Sequence, residues 1–161
     1  MKREMKKMEN MEIKRTIYSW HAPYKVTLGE AYARFLEGMK EKKIVGNICP
    51  ACNGLYVPPR PFCDKCLEQP TEWIETDGMA TLVTFSVAVI QLPGLEEIHP
   101  ITGMIKVGNS VTNFLHFVGG IEYEQRAELV DKVKIGMKLR PVWKEERVGD
   151  ILDLDYFEPI S

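Results

Sequence analysis

Four cysteines, arranged as two Cys-x-x-Cys pairs, constrain this chain more than any other feature. The pairs occupy positions 49–52 and 63–66 and are separated by ten residues. In each pair a tight turn can direct both sulfurs at one ion, and two such turns brought together complete a tetrahedral four-sulfur shell. The pattern therefore predicts a metal site whose ligands are Cys49, Cys52, Cys63 and Cys66.

The ligand set indicates structural zinc. Four thiolates fill a tetrahedral shell and leave no position for water or substrate, so we expect a structural rather than a catalytic ion. The segment 49–66 contains four prolines and few apolar residues, and we expect it to need the ion in order to fold. The same four thiolates also suit iron in a redox site of the rubredoxin type, and the spacing leaves that alternative open.

The composition is that of an ordinary soluble protein. Its 161 residues are 45% hydrophobic, yet they contain no apolar run of the roughly 18 to 20 residues that a membrane span requires. The first ten residues are charged and lack the apolar middle of a signal peptide. We therefore expect a cytoplasmic protein without a membrane partner, and the reducing conditions of the cytoplasm argue against disulfides.

The charge balance argues against a nucleic-acid partner. The formal net charge is −2 and the isoelectric point is near 6.0, whereas a nucleic-acid module usually shows an isoelectric point above about 9 or a clustered basic face. The last predicted hairpin is also rich in acidic residues, among them Glu145, Glu146 and Asp150. These would repel phosphates.

The N-terminal third predicts an arm and one amphipathic helix before the ribbon. Residues 1–23 predict a flexible or extended arm, because they are highly charged at the start and offer few apolar residues to bury. Residues 24–43 predict the helix, with Thr27 and Glu30 as a capping box. Its apolar positions recur at helical spacing and are Leu28, Ala31, Tyr32, Phe35, Leu36 and Met39. Residues 44–76 form the predicted zinc ribbon.

Residues 77–161 predict a β-barrel with one helical insertion. Alternation in the first long strand favours one face that carries Val83, Phe85, Val87 and Val89. Strands at 101–107 and 111–118 follow. A helical segment at 122–133 comes next, with Ala127, Val130 and Val133 on one face and Leu129 beside them. Strands at 139–143 and 151–157 complete the order of a five-stranded OB fold. A small sandwich or an SH3-like barrel is the alternative.

The combination of helix, ribbon and barrel resembles the proteins of domain-of-unknown-function family 35 (DUF35). The resemblance covers about residues 24–158 and is carried by the segments FLEGMKEKKIVGNICPACNGLYVPPRPFCDKC and WIETDGMATLVTFSV. It implies a mainly β protein with an N-terminal helical segment, in which a rubredoxin-like zinc ribbon precedes an OB-fold barrel. Its most specific part is the inner VPPR motif, Val57 to Arg60, with the Asp-Gly turn that opens the barrel.

The same resemblance implies an accessory subunit of acyl-CoA enzymes. In archaeal members such a subunit bridges a thiolase and a hydroxymethylglutaryl-CoA synthase, and its OB domain helps to hold the pantetheine of CoA. Other relatives attach to lipid-transfer-type aldolases or acyl-CoA hydratases. The expected partners are therefore acyl-CoA or CoA and a thiolase-like or hydroxymethylglutaryl-CoA synthase-like enzyme.

Binding of acyl-CoA needs an apolar groove and a cation, and both have candidates. Tyr32, Phe35 and Met39 on the predicted helix are candidates for the groove or for a partner surface, although such a stripe more often packs against the protein core. Arg60 lies on a proline-rich loop and is the candidate cation for a phosphate or a partner carboxylate.

The sequence favours a binding role over catalysis. All four cysteines are assigned to the metal, and the three histidines, His21, His99 and His116, stand far apart in the sequence. We interpret His116 as a buried barrel histidine rather than a base. The resulting prediction is a non-catalytic acyl-CoA-binding scaffold subunit of a thiolase-like complex. The alternative is a single-stranded nucleic-acid-binding or general protein-interaction module of the same fold.

Overall fold

The computed structural model describes residues 25–90 and 99–160. The predicted arm at 1–23, with Trp20 and His21, lies outside the described residues. The described residues form an N-terminal helix, then a three-stranded sheet, then a closed five-stranded barrel that contains a short helical insertion. Within these two ranges, no helix has the length and apolar character that a membrane crossing requires.

Helix α1 spans Glu30–Lys40 and is shorter than the predicted 24–43. Gly29 occupies the N-cap position without a side-chain hydrogen bond, so the capping box predicted at Thr27 is wrong. Thr27 lies two residues before the N-cap, which is too early for it to cap the first turn. The buried residues of the helix are Phe35, Gly38 and Met39.

The ribbon sheet consists of β1, Ile44–Ile48, between the antiparallel strands β2, Leu55–Tyr56, and β3, Glu72–Thr76. Strand β1 is the central strand, and both of its faces are covered. Helix α1 packs on one face so closely that a Cβ added to Gly38 would lie 2.7 Å from Val45 Cγ2. On the other face, a Cβ on Gly46 would lie 2.7 Å from the Tyr56 carbonyl oxygen. These two close approaches fix the helix and the β2 hairpin against the central strand.

The barrel has the strand order of an OB fold. Its strands are β4, Ala80–Val87; β5, Ile101–Val107; β6, Phe114–Val118; β7, Lys138–Trp143; and β8, Leu154–Pro159. Their order around the barrel is β4-β5-β6-β8-β7, and β7 pairs back onto β4. The β6–β8 pairing is parallel and the other pairings are antiparallel. The predicted mainly β fold with a zinc ribbon and a five-stranded barrel is confirmed.

A β-bulge changes the facing of side chains along β4. The pairing of β4 with β5 shifts register between Leu82 and Thr84, so the single residue Val83 is inserted into the alternation. Leu82 is fully buried, whereas Val83 is 38% exposed. Phe85 and Val87 do pack against the core, but the prediction that Val83 shares their face is wrong.

The helical insertion between β6 and β7 is shorter than predicted. A turn of 3-10 helix at Arg126–Glu128 leads into α2, Leu129–Lys132. Leu129 and Val133 are buried, while Val130 is 51% exposed. The predicted face of Ala127, Val130 and Val133 is therefore wrong. The tighter 3-10 turn changes the angular positions of the side chains from those of a continuous α-helix.

One hydrophobic core joins the helix, the ribbon and the barrel. Phe35 of α1 meets Phe114 of β6 edge to face, with ring centroids 5.7 Å apart. Val57, just after β2, belongs to the same cluster of buried residues. The Thr112 hydroxyl accepts a hydrogen bond from Val57 N at 3.0 Å and donates to Val57 O at 2.9 Å. The β5–β6 loop of the barrel is thus fastened to the ribbon.

Candidate metal centre

The four cysteine sulfurs converge on one point of the ribbon. All four Sγ atoms lie within 4.8 Å of one another, and Cys52 Sγ is 3.7 Å from Cys63 Sγ. A tetrahedral zinc site with Zn–S bonds of about 2.3 Å requires sulfur–sulfur edges of about 3.8 Å. The four residues therefore fit a zinc ion as a complete set of ligands.

The two Cys-x-x-Cys turns have the same pattern of backbone hydrogen bonds. Cys49 N donates to Gly54 O at 3.0 Å, and Cys63 N donates to Glu68 O at 2.9 Å. In both turns, the amide of the residue four positions after the first cysteine donates back to that cysteine's carbonyl. The two turns are therefore copies of one local structure, and their packing against each other brings the two pairs of sulfurs to one site.

Both turns place a non-glycine residue in the left-handed region. Asn53 has φ of 57° and Leu67 has φ of 59°. Asparagine adopts this conformation more readily than most residues, whereas leucine rarely does. Leu67 is also 79% exposed. The closing hydrogen bonds of the turn impose this conformation on Leu67.

Several hydrogen-bonding groups surround the sulfur of Cys63, which the spacing of the cysteines does not predict. The backbone amides of Lys65 and Cys66 donate to Cys63 Sγ at 3.4 and 3.3 Å, and the Tyr56 hydroxyl oxygen lies 3.1 Å from the same sulfur. The Tyr56 hydroxyl, supported by the two amides, lowers the pKa of the Cys63 thiol to about 6 although burial opposes this. The pocket therefore favours the thiolate, which is the form that binds a metal.

Tyr56 and Asp64 form a polar support behind Cys63. The fully buried Tyr56 shares its one hydroxyl hydrogen between Asp64 Oδ1 at 2.6 Å and Cys63 Sγ at 3.1 Å, and Asp64 N donates to the hydroxyl oxygen at 3.3 Å. The pKa of Tyr56 is raised above its ordinary value. The hydrogen bond to the Asp64 carboxylate has the largest effect, and the contact with Cys63 and burial add to it. Neither residue was predicted from the sequence. Asp64 was visible inside the second cysteine pair, but nothing in the sequence placed Tyr56 beside it.

A groove beside the ribbon brings two of the candidate binding residues together. It lies between the N-terminus of α1 and the proline-rich loop, has a volume of about 420 Å³, and is lined by residues that include Tyr32, Arg60 and Trp73. Asn47, which is 1% exposed, fixes this loop by donating to Arg60 O at 2.8 Å and accepting from Arg60 N at 3.1 Å.

The other two candidates lie elsewhere. Phe35 and Met39 are both 0% exposed and belong to the shared core, so the expectation that they contact a ligand or partner is corrected. The reason is that the buried side of α1 packs on strand β1 and the barrel, whereas Tyr32 lies one turn earlier and is 41% exposed.

The two described histidines both lie close to the ring of Phe117 in the barrel. His99 and His116 have ring centroids 5.6 and 5.7 Å from that of Phe117. His116 is 5% exposed and its Nε2 atom donates to Ile151 O at 3.1 Å. Burial lowers the pKa of His116, which favours the neutral ring. The Nε2 atom of His99 lies 3.4 Å from Asp155 Oδ1.

Comparisons with known proteins identify the ribbon and the fold. Residues 37–72 match the family described as the ChsH2 rubredoxin-like zinc ribbon domain. No curated protein matches the chain in sequence.

Two solved structures have a similar fold. One, a protein of unknown function from the DUF35 family of Sulfolobus solfataricus, is 21% identical with a TM-score of 0.61, and the match covers 82% of this chain and 87% of that chain. The other, described as an Ltp2-ChsH2(DUF35) aldolase, is 24% identical with a TM-score of 0.60, and the match covers 84% of this chain and 98% of that chain. The predicted structural zinc, the zinc ribbon and the resemblance to DUF35 proteins are confirmed.

Proposed function

We propose that this chain, which carries a ChsH2-type zinc ribbon on the fold of DUF35 proteins, is a non-catalytic accessory subunit of a thiolase-like enzyme complex. In this role it binds the CoA part of an acyl-CoA substrate, and the partner enzyme supplies the reacting groups. The similar structure described as an Ltp2-ChsH2(DUF35) aldolase names a DUF35 protein together with an enzyme, which supports a partnership of this kind.

The observation that carries the proposal is the groove that places Arg60 beside Tyr32 and Trp73. Its volume of about 420 Å³ is within the range of about 300 to 1,000 Å³ typical of small-molecule sites. Prolines and aromatic rings make up much of its wall, and among the described residues that line it Arg60 is the one cation and Glu30 the one carboxylate. An arginine of this kind suits a phosphate group, and apolar walls suit the pantetheine arm.

The zinc ribbon contributes to this groove as a scaffold. When bound by the four thiolates, zinc supplies a structural cross-link between the two cysteine turns. The proline-rich loop that bears Arg60 lies between those turns, and Asn47 of β1 holds it by two hydrogen bonds. The ribbon therefore fixes where the Arg60 backbone lies relative to α1.

Calorimetric titration of the zinc-loaded protein with coenzyme A tests the groove. Because hydrogen bonds to charged groups contribute about 1.5 to 3 kcal/mol, Arg60→Ala should raise the Kd about tenfold or more. Arg140→Ala, which removes an exposed arginine of the barrel, is the matched control and should bind as the wild type does. Equal affinity of the Arg60→Ala variant and the wild type would refute the assignment of Arg60.

Turnover of a reconstituted complex with a thiolase-like enzyme tests the non-catalytic role. His99 is the partly exposed histidine with a carboxylate neighbour, so it is the first residue to examine. His99→Gln should leave kcat within a few-fold of the wild type. Loss of a general acid or base typically costs about 10² to 10⁴ in rate, so a fall of that size in a complex that still assembles would show that this chain takes part in the chemistry.

A further inference from the structure

We propose that Cys52 is the ligand at which thiol-reactive electrophiles and peroxides first attack the metal centre, and that Tyr56 and Asp64 hold Cys63 as its most protected ligand. This inference concerns the ribbon alone and does not depend on CoA binding. It follows from the unequal surroundings of four cysteines that are chemically alike.

Exposure separates the four ligands. The first cysteine of each turn, Cys49 or Cys63, is 0% exposed. Cys66 is half-buried and packs against the small cluster formed by Cys49, Tyr56 and Cys63. Cys52 is exposed and is not part of that cluster.

Gly54 lies next to Cys52 in space, and a Cβ built on it would lie 3.4 Å from Cys52 Sγ, 3.6 Å from Val111 Cγ2 and 3.7 Å from Tyr56 Cε2. Val111 and Tyr56 therefore line this side of the sulfur, and Cys52 meets solvent on its other, exposed side. A reagent in solvent therefore has its most open approach to the ligand set at Cys52.

Hydrogen bonds also distinguish the protected ligand Cys63 from the exposed ligand Cys52. The sulfur of Cys63 is approached by the Tyr56 hydroxyl at 3.1 Å and by the amides of Lys65 and Cys66 at 3.4 and 3.3 Å. Partners of this kind orient a metal ligand and hold it in place. Asp64 in turn fixes the Tyr56 hydroxyl at 2.6 Å. Cys63 is therefore as enclosed as Cys49, and three hydrogen-bonding groups position its sulfur.

The chemistry at Cys52 is ordinary thiolate oxidation. The sulfur attacks one oxygen of hydrogen peroxide, an S–O bond forms, the O–O bond breaks, and the departing hydroxide takes a proton to become water. Sulfur is oxidised to a sulfenic acid and peroxide is reduced. The oxidised sulfur has lost its thiolate character, so the first cysteine turn is then held through Cys49 alone.

Substoichiometric labelling tests the order of attack. The zinc-loaded full chain is treated with less than one equivalent of N-ethylmaleimide, digested, and mapped by mass spectrometry. We expect most of the first label on Cys52. A label spread evenly over the four cysteines, or one that begins at Cys49, Cys63 or Cys66, would overturn the proposal.

Competition with a chromophoric chelator tests the support of Cys63. Tyr56→Phe removes only the hydroxyl, and loss of such a partner typically lowers metal affinity about 10- to 100-fold. We expect a loss of that order together with new labelling of Cys63, whereas Tyr123→Phe, at an exposed tyrosine, should change neither. Asp64→Asn is the second variant if Tyr56→Phe does not fold. Zinc affinity equal to the wild type in the variant that folds would contradict this part of the proposal.

Discussion

At the scale of single residues, the second cysteine turn holds Leu67 in an unfavourable backbone conformation. Leu67 and Asn53 occupy equivalent left-handed positions with φ of 59° and 57°. For an L-residue other than glycine, asparagine or aspartate, that conformation costs roughly 1 to 2 kcal/mol. Leu67 is 79% exposed, so burial of its side chain does little to offset the cost.

Leu67→Gly should therefore stabilise the zinc-loaded protein. Relief of the left-handed strain outweighs the entropy that glycine loses on folding, and the expected gain in unfolding free energy is about 0.5 to 1 kcal/mol. Urea denaturation measures it. Lys65→Gly is the matched control, since Lys65 lies in the same turn with an ordinary φ, and it should lower stability. A loss of stability in Leu67→Gly would show that the leucine side chain has a role outweighing its strain.

At the scale of elements, Asp153 organises the connection between β7 and β8. Its carboxylate is 3% exposed and accepts hydrogen bonds from the amides of Val148, Gly149 and Asp150, at 3.1, 2.7 and 3.0 Å. Burial works against ionisation, but the three amides outweigh it and lower the pKa of Asp153. In the same connection, Arg147 Nε donates to Lys40 O at the end of α1, at 2.9 Å.

Asp153→Asn should destabilise the barrel because a neutral amide oxygen at the Oδ2 position accepts these hydrogen bonds more weakly than a carboxylate, and the amide nitrogen at the Oδ1 position cannot accept from Val148 N, which lies 3.1 Å from Oδ1. Leaving a buried donor without its partner costs about 1 to 3 kcal/mol. The lowered pKa means that the wild-type contribution is fully present above the unfolded-state pKa of about 3.9 and is lost as the pH falls through the folded-state value.

Thermal unfolding at pH 7 and at pH 3 measures both effects for Asp153. The difference between wild type and Asp153→Asn should be large at pH 7 and smaller at pH 3. Asp155→Asn is the control and should change stability less, because the Asp155 side chain is 34% exposed and its contact with His99 is 3.4 Å long. A difference for Asp153→Asn that does not vary with pH would argue against the ionised carboxylate.

At the scale of the whole molecule, the ribbon and the barrel are not independent. Phe35, Ile44, Val57 and Phe114 belong to one buried cluster that spans the helix, the ribbon and the barrel. The loop 108–113 of the barrel also bonds to β2, since Val111 N donates to Leu55 O at 2.7 Å. Unfolding the ribbon would expose part of the barrel core to water.

Loss of zinc should therefore weaken the barrel as well as the ribbon. We expect that Cys63→Ser, or removal of zinc by a chelator, will reduce hydrogen-exchange protection of the amides of β1 and β6 together. The untreated wild type is the reference, and readdition of zinc to the chelated protein should restore protection in both strands. Free exchange in β1 with unchanged protection in β6 would show that the ribbon unfolds separately.

Several features were determined by the sequence itself. The two Cys-x-x-Cys pairs predicted the metal ligands because tight turns bring residues three apart to one ion. The order of three strands, a helical segment and two strands predicted the OB barrel because strand and helix periods are local patterns. In both cases the information lies within a short stretch of chain.

Other features were decided only by the tertiary structure. Tyr32 and Phe35 are alike in sequence pattern, yet only the packing of α1 on β1 and the barrel leaves the first partly exposed and buries the second. Tyr56 reaches Cys63 only because the two cysteine turns close on each other. The bulge at Val83 depends on pairing with β5. Each of these depends on contacts between segments distant along the chain, and a side chain's own neighbours in sequence carry no record of which distant surface it will meet.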